Sequence, residues 1–291
     1  MKPYYEDHAV EIYHGDCRKI LLRLGPVDHI ITDPPYSEHV HASCMSAMSA
    51  HGGKIAKRTA LGFAPLDDAT RLDVANWCGG NVKRWMLFFS DVESSHLWKE
   101  DLECYCCEYV RTGAWIKVGG APQFTGDRPA VGFEAIVICH RMGKKQWNGG
   151  GKQGIWSFPI VVSRGGPNEV RVHTAQKPLK LLNALITDFT DAGDVIIDPF
   201  MGSGTTLRAA KDLGRRAIGI DKDERSCEIA AKRMMQEVFD FGTKLTPRGG
   251  ETVTHVAHNH EIAGSIPARA SRIIRRLLSQ VGLDRGRGLG C

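Results

Sequence analysis

The stretch Asp194-Val195-Ile196-Ile197-Asp198-Pro199-Phe200-Met201-Gly202-Ser203-Gly204-Thr205-Thr206 decides how this chain folds. Val195–Ile197 is the short β-branched run of a buried strand, and Thr205–Leu213 has helical spacing. Between them, Gly202 and Gly204 form a turn whose backbone can approach a ligand closely and aim amide N–H groups at it. The turn is not a dinucleotide fingerprint, because Leu207 stands where the third glycine belongs. Nor is it a P-loop, because no Lys follows Gly204. Asp198 is ill suited to a phosphate and suits a cationic ligand. The next strand, Ala217–Ile220, ends in Asp221, where a carboxylate accepts both hydroxyls of a ribose. With helix Glu224–Phe239 behind it, the segment reads as right-handed βαβ connectivity. On this reading a Val at position 204 should block the ligand by bulk.

A second apolar run, Val27-Asp28-His29-Ile30-Ile31-Thr32, stops at Asp33-Pro34-Pro35-Tyr36. A Pro pair ends a strand, and ligand sites of open α/β sheets lie at the carboxyl ends of strands. The spacing further predicts strands at Val10–Ile12, Arg84–Ser90, Val110–Lys117 and Phe133–His140. It predicts helices at Cys17–Leu24, Asp67–Cys78, Ser94–Glu103 and Leu179–Phe189. The fold class expected is α/β: one doubly wound, mostly parallel sheet with an antiparallel edge strand pair. Residues 37–64 read as a long loop with His39, His41, His51, Lys54, Lys57 and Arg58, and a loop of that length is usually functional or disordered.

Charge needs dissecting before it is used. The 291 residues carry a net +5, but residues 242–291 hold eight Lys/Arg and three Asp/Glu. Residues 1–241 are therefore neutral, with 30 of each sign (38 − 8 and 33 − 3). Any basic surface on the main body must be local, and 242–291 reads as a basic, disordered tail. Ala263-Gly264-Ser265-Ile266-Pro267-Ala268 resembles the translation of a transfer-RNA T-arm, as in a reading frame running into a neighbouring gene of a phage or integrated element. No apolar run has membrane-spanning length and the start is polar, so a cytoplasmic chain with reduced cysteines is expected. Cys104-Tyr105-Cys106-Cys107 has no second cluster at zinc-ribbon spacing, and no metal is expected.

Asp33-Pro34-Pro35-Tyr36 and Asp198-Pro199-Phe200-Met201-Gly202-Ser203-Gly204, in that order, resemble the catalytic and cofactor signatures of the S-adenosylmethionine-dependent DNA amino-methyltransferases, in the permuted β class. His173-Thr174-Ala175-Gln176-Lys177-Pro178 is similar to the family's H-P-T-Q-K-P string, with Thr174 for its commoner Pro. The resemblance implies that Asp33 and the carbonyl of Pro34 hold the N–H groups of a flipped base, that Pro35 stiffens the turn, and that Tyr36 stacks on the base. It implies a cofactor site of Asp16, His173, Lys177, Asp198, Phe200, Gly202, Ser203, Gly204, Thr205 and Asp221, with Asp16 at the adenine end and Lys177 near the methionine carboxylate.

It also implies a methyltransferase domain at 1–241, with a catalytic half at 33–140, a target-recognition stretch at 141–170 and a cofactor half at 173–241. Lys54, Lys57, Arg58, Trp115, Phe124, Lys144 and Lys145 are the expected DNA contacts, Trp115 reading equally well as core. The expected reaction is methylation of N6 of adenine in duplex DNA, with N4 of cytosine as the alternative. A restriction endonuclease is the expected partner, and the chain is expected to be a monomer or homodimer. A DNA-binding module that keeps the fold without catalysis is the reading of another class; the intact Asp-Pro-Pro-Tyr string argues against it.

Overall fold

Alternation along the central strands gives the sheet two apolar faces, and helices cover both. The computed structural model describes residues 1–35, 49–51, 54–56, 66–120, 127–161 and 176–236. The strands are β1 (Tyr5–Glu6), β2 (Val10–His14), β3 (His29–Thr32), β4 (Ser49–His51), β5 (Lys54–Ala56), β6 (Trp85–Ser90), β7 (Cys107–Val118), β8 (Phe133–Arg141), β9 (Ile155–Pro159), β10 (Val195–Asp198) and β11 (Arg216–Asp221). The helices are α1 (Cys17–Leu21), α2 (Asp68–Asn81), α3 (Ser95–Cys104), α4 (Leu179–Phe189), α5 (Thr205–Asp212) and α6 (Glu224–Met235). Ile31, Leu87 and Phe89 face the layer of α4, α5 and α6. Their neighbours Ile30, Met86 and Phe88 face α1, α2 and α3. Burying each of these large side chains contributes about 1.5–3 kcal/mol.

Nine strands form one sheet in the order β1-β2-β11-β10-β3-β6-β8-β7-β9. From β2 to β6 neighbours run parallel, as the α/β reading expects. The antiparallel pair β7 and β8 is present, but it is not the edge. β9 pairs parallel with β7 and takes that place, and β1 closes the other side antiparallel to β2. The region expected as an unbroken loop at 37–64 contains a short antiparallel hairpin, β4 with β5.

Side chains set the helix starts. Asp16 accepts from the Arg18 amide at 3.0 Å and Asp67 from the Thr70 amide at 2.6 Å. At α3 Ser94 stands at the N-cap without a side-chain cap bond, and Asp91 Oδ1 accepts from its amide at 2.7 Å. All described residues fall within one compact unit, Met1–Phe239; the expected tail, 242–291, lies outside the described residues. Among the described residues no helix is long and apolar enough to cross a membrane, and no group of three or more His, Cys, Asp or Glu is placed to hold a metal ion.

Candidate active site

Strands β3, β10 and β11 lie side by side and parallel, so the strings that follow them meet at one edge. A cavity of about 560 Å³ opens there, within the range of about 300–1,000 Å³ typical of small-ligand sites. Asp33, Pro34 and Pro35 form one wall, the Pro199–Ser203 turn lies beneath, and Asp221 stands opposite.

Asp198 joins the two halves. Its Oδ1 accepts from Thr32 Oγ1 at 2.6 Å and from the Phe200 amide at 3.1 Å. Burial pushes its carboxyl up to about 6, against the hydrogen bonds from Thr32 and Thr206. Asp198 both lines the cavity and braces the strand ends. Asp221 accepts from the Gly202 amide at 2.9 Å and from the Asp223 amide at 2.8 Å, one on each oxygen. Asp221 lines the cavity with Lys222 and Asp223.

The two glycines of the turn do different work. Both have positive φ, +50° at Gly202 and +75° at Gly204. Gly202 lines the cavity and has open space where a Cβ would stand. A Cβ at Gly204 would lie 2.8 Å from Ala230 Cβ, because α6 packs against this point. Gly204 is not a cavity residue, and the expectation that a Val there blocks the ligand is corrected: it would strike α6 first. Ser203 and Thr205 line the cavity, with Ser203 Oγ and Thr205 Oγ1 accepting from Arg233 Nη1 at 3.2 and 3.1 Å. Phe200 is half-buried on the cavity wall.

Asp16 is engaged by its own neighbour. Arg18 binds both of its oxygens, with Nη2 at 2.6 Å from Oδ2, and holds its carboxyl down at about 2. Gly15 and Cys17 line the cavity; Asp16 does not. Lys177 lines it, but its ammonium is committed, lying 2.6 Å from Asp33 Oδ2 and 3.0 Å from Glu134 Oε2. Glu134 was not singled out by the sequence reading. The available signal was one acidic residue at the head of the otherwise apolar run Ala135–Cys139.

The comparisons agree with this geometry. The family model described as DNA methylase, of the N6 and N4 methyltransferases, matches residues 109–232. The chain is 24% identical over 266 residues to the type II methyltransferase M.HinfI of Haemophilus influenzae, covering 81% of this chain and 71% of that one. It is 27% identical over 263 residues to the type II methyltransferase M2.DpnII of Streptococcus pneumoniae, covering 81% and 93%. Among solved structures it resembles the M1.HpyAVI–SAM complex, with TM-score 0.59, 24% identity and 78% and 100% coverage. It also resembles the cytosine-N4-specific PvuII DNA methyltransferase, with TM-score 0.62, 13% identity and 81% and 89% coverage.

By these matches the chain is similar to the N6/N4 DNA methylases. In this chain several expected DNA contacts stand elsewhere. Trp115 is core, 3% exposed, and its Nε1 donates to the Phe158 carbonyl at 2.9 Å. Because β8 runs antiparallel to β6, it carries the chain away from the cavity, and Lys144 and Lys145 emerge at the opposite edge of the sheet. Lys145 there pairs with Glu108 at 2.6 Å.

The first part of the expected target-recognition stretch is likewise pinned to that edge. The Asn148 amide donates to the Asp188 carbonyl, and Lys152 and Trp156 donate to the Asp188 carboxylate. Tyr36, Lys57, Arg58, Phe124 and His173 lie outside the described residues, as does the side chain of Lys54.

Proposed function

We propose that this chain transfers a methyl group from S-adenosylmethionine to N6 of adenine flipped out of duplex DNA. The carrying observation is the meeting of Asp33-Pro34-Pro35 with the Gly202 turn and Asp221 around one cavity. The cavity's residues fit the donor: Asp221 is a strand-end carboxylate on the cavity suited to ribose hydroxyls, and Phe200, Leu66 and Pro35 offer apolar walls to a nucleoside. When bound, S-adenosylmethionine supplies a methyl group on cationic sulfur.

The chain's part is to prepare the acceptor. An exocyclic amino nitrogen is a poor nucleophile because its lone pair is delocalised into the ring. Acceptors at the Asp33 carboxylate and the Pro34 carbonyl hold its two N–H groups, bend the nitrogen towards tetrahedral geometry and free the lone pair. Their grip strengthens as positive charge develops on nitrogen, so they favour the transition state over the ground state. The proton leaving nitrogen passes to Asp33 and then to water. Flipping the base costs a few kcal/mol.

Adenine is favoured by the carboxylate at position 33. The fold likeness to the PvuII enzyme keeps N4 of cytosine as the second reading. Incubating plasmid DNA with the purified chain and labelled donor, followed by nucleoside analysis, separates them; N4-methylcytosine as the product would overturn adenine, and no labelled nucleoside would overturn the function.

Two further results are expected. Asp221→Ala should weaken S-adenosylmethionine binding by about 1–3 kcal/mol, the loss of a charged acceptor. Unchanged affinity in calorimetry would move the ribose contact elsewhere. Truncation after residue 241 should leave the melt, cofactor affinity and target base unchanged, because Met1–Phe239 forms its own compact unit. It removes the whole net +5, so nonspecific DNA affinity should fall and its salt dependence flatten. A changed recognition site would make the tail part of the enzyme.

A further inference from the structure

Asp33 heads a chain of four charged groups delivered by four segments. Lys177, just ahead of α4, bridges Asp33 Oδ2 and Glu134 Oε2 at 2.6 and 3.0 Å. Glu134 is the second residue of β8, and its Oε1 lies 2.7 Å from Nζ of Lys117, near the end of β7. The rings of Phe89 and Trp115 stand 5.1 and 5.8 Å from the Lys177 ammonium. Asp198, on β10, is the further carboxylate facing Asp33. Asp33 Oδ1 is buried and has no hydrogen-bond partner among the described residues.

Taking such a cluster out of water is costly, and apolar side chains of the same volume often serve stability as well. Its place beside Asp33 gives it a different use. We propose that Lys177 and Glu134 are a positioning pair for Asp33: they hold its carboxylate in one orientation and set how basic it is. The proposal rests on the methyl-transfer reading above. Lys177 holds Oδ2 and so fixes the rotation of the carboxylate. Paired with Asp33 alone, the ammonium would also drain its basicity. Glu134 draws on the same ammonium and offsets this.

The electrostatics agree in direction. Burial pushes Asp33 above the ordinary carboxylate range, Lys177 pulls it back, and Glu134 pushes it up again. Burial would raise Glu134 as well, but Lys177 and Lys117 outweigh it and hold its carboxyl down at about 2. Glu134 therefore stays an anion at working pH, while Asp33 is the group left to titrate.

The test follows the Asp33 carboxyl by carbon NMR in the full chain labelled at aspartate, with Asp33→Asn to assign the signal. Glu134→Gln leaves two ammoniums near Asp33, and the Asp33 titration should move down by about one to two pH units. Lys177→Gln leaves two buried carboxylates with one ammonium, and it should move up by a similar amount. Lys177→Arg should restore it.

The acid limb of kcat for DNA methylation should follow in the same two directions, with S-adenosylmethionine affinity near wild type. If Lys177→Gln does not fold, Glu134→Gln should still move the titration down and Glu134→Asp should restore it; no shift in Glu134→Gln would overturn the pair. Shifts of equal sign, or none, would overturn the pair. So would moved titrations with unmoved acid limbs. Lost cofactor affinity in Lys177→Gln with an unmoved Asp33 signal would also overturn it, and return Lys177 to the cofactor's carboxylate. Opposite NMR shifts in a chain that methylates no DNA would remove the function reading and leave the electrostatic pairing standing.

Discussion

Asp33→Ala should reduce methyl transfer to DNA by about 10²–10⁴-fold, the range for losing a positioned base or a transition-state hydrogen-bonding group. The effect belongs in kcat, because the carboxylate's grip on the amino group tightens only as nitrogen gains charge. The fold should survive, since Lys177 keeps Glu134 as its partner at 3.0 Å. Cofactor binding should survive too, because the proposed ribose contacts come from Asp221 on the far wall. Single-turnover methylation and calorimetry on the same preparation check this. Turnover near wild type would take Asp33 out of the reaction. With Asp33 as the proposed acceptor, activity of the wild-type chain is expected to need it ionised. It should fall as pH drops through the Asp33 pKa, which burial places above the ordinary carboxylate range.

Gly204→Ala should destabilise the chain by about 2–5 kcal/mol. Of this, about 1–2 kcal/mol comes from holding an L side chain in the left-handed region and about 1–3 kcal/mol from overpacking. The new Cβ would meet Ala230 Cβ at 2.8 Å and its Cα at 3.3 Å, and α6 has to shift to admit it. For a chain of this size the melt should drop by roughly 5–15 °C. Gly202→Ala has open space around it and carries only the backbone strain, so its melt should move far less. Any change in cofactor affinity should belong to Gly202, which lines the cavity. Thermal melts beside calorimetry separate the two glycines. A Gly204→Ala protein with an unchanged melt and lost cofactor binding would return Gly204 to the cavity floor.

Much of the fold is legible in the sequence because its ends are punctuated. Pro34-Pro35, Pro199 and Gly202 stop strands where the structure stops them, and the helix spacing of Leu179–Phe189 reproduces α4 residue for residue. β9 was not legible. Of Ile155–Pro159 only Trp156 is buried, since an edge strand has one neighbour, and glycines 149–151 and 154 precede it. Missing β9 made β7 and β8 read as an edge.

The site shows the same division. The two ligand strings are local and could be read. The direction of β8 is not, so a basic pair at Lys144-Lys145 gave no sign of its edge. The Glu134–Lys177 contact joins residues far apart in the chain, and no local period records it. Composition also could not distinguish Gly202, turned to the cavity, from Gly204, turned to α6.

The bond from Thr32 to Asp198 spans 166 residues, and β10 fills the place between β3 and β11. During synthesis at about 5–20 residues per second, β3 therefore waits roughly 10–30 s for its neighbour. Through that interval one long side of His29–Thr32 offers open backbone donors and acceptors to any other extended chain. The ribosome-bound intermediate, more than the finished enzyme, is where this protein should depend on chaperones. Slowing translation after β3 should lower soluble yield without altering the specific activity of the molecules that complete the sheet.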